Sequence, residues 1–350
     1  MSEPSDSTGA RINIPRLIAN VDTGVDDAAM LWWCATSPEV TLAAVTTCWG
    51  NVDIERVNRN TSAVMKACDA TATPIFGGLS VHESTWPVGG HGAEIVMGAD
   101  GLNGLVLADG DPLQAESAVD AIIRLTLESP GDYTLIAVAP FTTIAAALEV
   151  DPTLPSRLAG VTLMAGSVGV GGNLSPWGEA NVMHHPEAAA VCFDAFGAPG
   201  ALAHNAVPRM IGLDVTLAAT ITPDFVDVAR SSDVPGSDHL ATLWAHSLVH
   251  GFIETTDGSL SVHDLLAAWS IAHPDAFTWE RVPVVIDVNG GAAHGMTVAD
   301  RRVHLINNAP ITHERRAEVF QYMNFHTNRW DIAVGVDTDA FRASMREWLS

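Results

Sequence analysis

Asn20-Val21-Asp22-Thr23-Gly24-Val25-Asp26-Asp27 joins an apolar run at residues 14–21 to a helical pattern at 26–36. A short apolar run ending at a glycine-bearing loop reads as a strand, and apolar residues recurring every three or four positions beyond it read as a helix. The alternation then repeats. Residues 40–48, 133–138, 161–165 and 207–213 read as strands, and 54–68, 142–149 and 186–194 as helices. Strands separated by helices pair in parallel, because a helical crossover returns the chain to the same end of the sheet. The expected fold is α/β, an open, mostly parallel, Rossmann-like central sheet flanked by helices. Residues 282–288 and 303–306 read as late strands. No internal repeat, low-complexity tract or linker divides the chain. A single domain with loop insertions is expected over residues 14–350, behind a disordered tail at 1–13.

Composition narrows the function class. The 350 residues are 47% hydrophobic, ample for a sizeable core, and carry a net charge of −24 from 41 acidic and 17 basic residues. Lys66 is the single lysine. Such a surface repels phosphate backbones, which argues against nucleic-acid or anionic-membrane partners. Cys34, Cys48, Cys68 and Cys192 are scattered without a C-x-x-C pair, so neither a zinc site nor a disulfide framework is indicated. No apolar run approaches the roughly 18 residues of a membrane span, and the polar start lacks a secretion signal. A cytoplasmic protein is expected.

In doubly wound sheets ligands sit beyond the carboxyl ends of the strands, so the loops after each strand carry the chemistry. The first holds Asp22, Asp26 and Asp27 around Gly24, and converging carboxylates at a helix start suit a hard cation. Two other readings stay open for these residues: Asp26 and Asp27 as caps of the following helix, and an aspartyl-phosphate loop, which would need a second Asp directly after Asp22-Thr23. The second loop, Thr46-Thr47-Cys48-Trp49-Gly50-Asn51, offers Asn51 as a hydrogen-bonding partner of the acidic loop, or as a plain turn residue. In the third, a glycine-rich stretch after Met164 leads to Asn173 and then Glu179-Ala180-Asn181, amide and carboxylate groups suited to a hydroxyl-rich ligand. His184 and His185 read equally well as surface residues before a helix. The fourth is Ser261-Val262-His263-Asp264, where an imidazole and a carboxylate open a helix, either as acid–base and metal groups or as a simple cap.

Taken together and in this order, the segments resemble the inosine-uridine preferring nucleoside hydrolase family over about residues 15–345. The family's Asp-x-Asp-Pro-Gly-x-Asp-Asp loop is matched at residues 20–27, with Asn20 for the first Asp and Thr23 for the Pro. Its Thr-Thr-x-x-Gly-Asn segment ends at Asn51, its sugar loop corresponds to Asn173, Glu179 and Asn181, and its His-Asp pair to His263-Asp264. Residues 280–284 and 295–301 look like its closing strands.

The resemblance implies Ca²⁺-dependent hydrolysis of the N-glycosidic bond of ribonucleosides, giving free base and ribose. Ca²⁺ would be held by Asp22, Asp27, Asp264 and the main-chain carbonyl of Val138, where the family usually has Thr. Asp22 would be the base that activates a metal-bound water. Asp26, Asn51, Asn173, Glu179 and Asn181 would contact the ribose, with Met164 packed beside it. His263 would protonate the departing base, as proposed for the inosine-uridine and pyrimidine branches. Trp244, His246, His250 and Phe252 are candidates for the base pocket, His250 foremost. Met97-Gly98 stands where the family often has His-Gly, and His185 replaces a common Asp before Pro186. A homodimer or homotetramer is implied. Three other functions compete: hydrolysis of another riboside such as nicotinamide riboside or a modified nucleoside, non-catalytic nucleoside binding motivated by Asn20 and Val138, and a Mg²⁺ phosphatase, which the anionic surface and missing P-loop disfavour.

Overall fold

The structure, a computed structural model, describes residues 14–80, 94–250, 258–323 and 326–350. The expected tail at 1–13 lies outside them. Twelve strands occur among the described residues: β1 Arg16–Val21, β2 Thr41–Thr47, β3 Ile75–Phe76, β4 Tyr133–Ala137, β5 Leu158–Met164, β6 Arg209–Ile211, β7 Thr220–Ile221, β8 Leu260–Ser261, β9 Phe277–Val282, β10 Val284–Ile286, β11 Thr297–Ala299 and β12 Trp330–Val336. Eight form one sheet in the order β3-β2-β1-β4-β5-β6-β12-β9, parallel except for β9, which runs against β12. β7 pairs with β8, and β10 with β11, in two small antiparallel ribbons.

β1 is buried from Leu17 to Val21 because both its faces are covered, the usual state of a parallel strand. Leu17, Ala19 and Val21 join one cluster with Trp32, Trp33, Trp244 and Trp269, while Ile18 faces a second with Leu135, Phe141, Phe193 and Trp330. The helix Val25–Thr36 is buried on every side through Val25–Cys34, apolar from Ala28 to Cys34 and acidic at its start with Asp26 and Asp27. The chain steps outward from β1 to β3 and then crosses back to β4. Strand order therefore reverses between β1 and β4, where a doubly wound sheet opens its ligand crevice. Register reinforces this: Val21 pairs with Thr47 and Asn20 with Ala137, so the loops after β1, β2 and β4 leave the sheet side by side.

Two sequence expectations are corrected, and one strand is added to them. Residues 303–306 are not a strand but part of the helix Arg302–Asn307. Val303 and Ile306 bury together while His304 does not, a spacing of three that only a helix produces. The run at 282–288 breaks at Pro283, which has no N–H for a ladder, so Val282 ends β9 and β10 belongs to another ribbon. β12, seated inside the main sheet between β6 and β9, was not anticipated as a strand.

Candidate active site

Four carboxylates converge at the crevice, and all are buried: Asp22, Asp26 and Asp27 from the β1 loop, and Asp264 from the start of the helix His263–Ala272. Asp27 is held on both oxygens, Oδ1 accepting from the Asp22 N–H at 3.0 Å and Oδ2 from the Gly24 N–H at 2.9 Å and Asn51 Nδ2 at 3.2 Å. Asn51 also donates its backbone N–H to Asp22 Oδ2 at 2.7 Å. It therefore latches both acids, as its position after β2 led one to expect. Oxygens of Asp26, Asp27 and Asp264 lie within 4.8 Å of one another. Asp22 stands outside that closest trio, but its Oδ1 is buried with no hydrogen-bond partner among the described residues.

Burial and mutual repulsion push these groups up. Asp22 rises by desolvation and then the charges of Asp27 and Asp26, and Asp264 by desolvation and then those of Asp26, Asp27 and Asp22. Asp27 rises from the ordinary 3.8 to about 7, by desolvation first and the Asp26 charge second. An array of buried like charges without a counter-ion is costly. Its donors are all carboxylate oxygen, and the carbonyl of Val138, which lines the same cleft, accepts Asn181 Nδ2 at 3.0 Å and keeps a second lone pair. Such a set fits a hard cation, and the orphaned Asp22 oxygen is the buried acceptor that a cation or a bound donor would satisfy.

A cleft of about 600 Å³ opens over this floor. Asp26 and Asp264 reach its lining with Asn51, Val138, Met164, Asn173, Glu179, Asn181 and His263, whereas Asp22 and Asp27 lie behind it. Glu179 caps the short helix Ala180–His184: Oε1 accepts from the Asn181 N–H at 2.8 Å, and Oε2 from Gly166 at 2.8 Å and Val182 at 3.2 Å. Desolvation raises its pKa while those N–H groups pull it back. Asn181 Nδ2 also reaches the Met164 carbonyl at 3.1 Å, and Asn173 Oδ1 accepts the Ala180 N–H at 2.9 Å.

The sequence pattern of the inosine-uridine preferring nucleoside hydrolases matches residues 17–343. The chain belongs to that family. It is a ribonucleoside hydrolase, an enzyme that cleaves N-glycosidic bonds. An inosine-uridine preferring nucleoside hydrolase from Leishmania major is 32% identical over 293 residues, 82% of this chain and 88% of that one. A pyrimidine-specific ribonucleoside hydrolase from Escherichia coli is 29% identical over 290 residues, 81% of this chain and 87% of that one. Among solved structures, a purine-preferring ribonucleoside hydrolase from Gardnerella vaginalis superposes with a TM-score of 0.78 at 27% identity, over 95% of this chain and 98% of that one.

In this hydrolase the two sides of the cleft differ in how well the sequence announced them. His263 Nδ1 lies 2.7 Å from Thr216 Oγ1, at the end of the helical turn Leu213–Thr216, and nothing near Thr216 in the sequence marks it. Of the two readings open for His184 and His185, the surface one does not hold. His184 is buried and lines the cleft, and His185 Nδ1 meets Thr142 Oγ1 at 2.9 Å, because the short helix ahead of Pro186 turns both rings inward. Met97 also lines the cleft. Trp244 is fully buried in the core rather than in a base pocket, and His246 Nδ1 sits 3.1 Å from the Asn103 carbonyl oxygen. His250 ends the helix Ser237–His250, but its side chain, like Phe252, lies outside the described residues.

Proposed function

We propose that this nucleoside hydrolase releases base and ribose from a ribonucleoside at a Ca²⁺ site formed by Asp22, Asp27, Asp264 and the Val138 carbonyl, with Asp22 as general base. The observation that carries this reading is the buried carboxylate cluster at the point where strand order reverses. When bound, Ca²⁺ supplies a coordinated water of lowered pKa and neutralises the cluster. Asp22 then has the form of a base: Oδ2 is tethered by the Asn51 N–H, and Oδ1 is left to take a proton. Asp26, Asn173, Glu179 and Asn181 hold ribose hydroxyls, with Met164 against the sugar. Carboxylates so placed also favour the positive charge that develops as an N-glycosidic bond breaks.

Thr216 orients His263 through Nδ1, and the ring so held protonates the departing base. The groups known from the relatives' names make inosine and uridine the first substrates to try. A second reading, hydrolysis of a different riboside, draws support from Met97 in the cleft lining, where the family often has His. By the same family likeness we read the protein as a cytoplasmic homodimer or homotetramer, the assembly being measurable by sedimentation. The central test is a nucleoside panel assayed for reducing sugar in chelator and in Ca²⁺. Ribose release that chelator abolishes and Ca²⁺ restores is expected. No release from any nucleoside, or phosphate release from nucleotides with Mg²⁺ alone, overturns the reading.

A further inference from the structure

One polar residue of the cleft wall has no part in the chemistry above. His184 closes the short helix Ala180–His184 and lines the cleft beside Asn181 and Met164, at 6% exposure. Its Nδ1 lies 2.6 Å from the Ala180 carbonyl oxygen. A carbonyl can only accept, so Nδ1 carries the proton and Nε2 of the neutral ring presents a lone pair. Burial supports this by pushing the ring's pKa below its ordinary 6.5, against the smaller pull of that carbonyl. Nε2 has no hydrogen-bond partner among the described residues and is not sealed from the cleft.

The ring is also fixed in orientation. Trp49 meets it edge-on, with centroids 5.3 Å apart at 86°. Trp49 Nε1 donates to Thr142 Oγ1 at 3.1 Å, and that hydroxyl engages His185. Other polar groups on this wall are largely committed: Asn181 Nδ2 to two carbonyls, Glu179 to three backbone N–H groups, Asn173 Oδ1 to one. A neutral, pre-oriented acceptor beside them matches a hydroxyl donor.

We propose that His184 is a specificity-determining residue for the sugar, its Nε2 accepting a hydrogen bond from one ribose hydroxyl of the bound nucleoside. A site built to pair a substrate hydroxyl discriminates against the analogue that lacks it. The inference rests on the ribonucleoside reading, and wild-type ribose release from the parent nucleoside checks that reading separately.

The test uses inosine and uridine with their 2′-, 3′- and 5′-deoxy forms, reading kcat/KM where hydrolysis occurs and calorimetric Kd throughout. His184→Asn keeps a donor for the Ala180 carbonyl but removes the Nε2 acceptor, and His184→Gln restores an acceptor near the Nε2 position. The Asn variant is expected to lose about 10-fold on the parent, the worth of one neutral hydrogen bond, and nothing on the one deoxy form that lacks the partner hydroxyl. Gln should recover most of the loss. An equal loss on the parent and all three deoxy forms, no loss on the parent, or equal losses for Asn and Gln overturns the proposal. If the wild type releases no ribose, the hydrolase reading fails and the same comparison is decided by Kd.

Discussion

Removing the cation across a pH series perturbs the acidic loop most directly. The Asp27 carboxyl titrates near 3.8 in an unfolded chain and at about 7 in the fold, raised by burial and then by Asp26. A carboxyl raised in this way favours the fold while protonated: its contribution is full below the unfolded value and is lost as pH rises through the folded one. One proton is worth ~1.4 kcal/mol per pH unit over that window, so Asp27 alone weakens the cation-free fold by on the order of 4 kcal/mol between about pH 4 and pH 7. Asp22 and Asp264 are pushed the same way and steepen the fall. Ca²⁺ needs its ligands deprotonated, so the stability it adds should grow with pH over the same range, by ~1.4 kcal/mol or more per unit. Urea unfolding in excess chelator and in excess Ca²⁺, at matched ionic strength, measures both curves. A Ca²⁺-induced stabilisation of equal size at roughly pH 5 and pH 7 would falsify the linkage.

Further outcomes separate the roles of individual residues. Asp22→Asn should lose at least ~10³-fold in kcat even at saturating Ca²⁺, whereas Asp264→Asn should chiefly weaken Ca²⁺ binding and regain turnover as Ca²⁺ is raised; calorimetry beside steady-state kinetics distinguishes them, and wild-type turnover in Asp22→Asn removes the base assignment. His263→Ala should slow inosine or uridine far more than an activated aryl riboside, with Thr216→Val a weaker copy of the same pattern, since the hydroxyl 2.7 Å from Nδ1 orients the ring. Equal slowing of both substrate types would mean that His263 is not the acid. At Gly50 an added Cβ would overlap Asp22 Oδ2 and stand 2.7 Å from Pro140 Cδ. Gly50→Ala should therefore fold and yet lose most turnover, and a circular dichroism melt with an activity assay settles it.

The first half of the sheet was legible because its signals are local: each early strand ends at a glycine or polar loop, and the helices after β2 and β4 bury apolar residues at helical spacing. The late elements were not. A four-residue apolar run such as 303–306 fits a strand or one helical turn, and only the partners of Val303 and Ile306 decide between them. β12 gains its place by pairing with β6 and β9, a long-range choice that no window of sequence contains. In the site, the β1 loop, Asn51, Glu179, Asn181 and Asp264 could be read from spacing and family likeness. Thr216 and His184 could not, since each acquires its position through backbone turns, and hydroxyls and lone imidazoles are common on surfaces.

Asp27 and Asp264 lie far apart in the chain, yet the helices they open, Val25–Thr36 and His263–Ala272, pack against each other. A cation gripped by both ends acts as a removable rivet across a seam between the N-terminal and C-terminal portions of the polypeptide. Occupancy would then govern shelf life as well as catalysis: chelated enzyme should open first along that seam, become nickable by proteases there, and need the ion back before it can be stored or warmed.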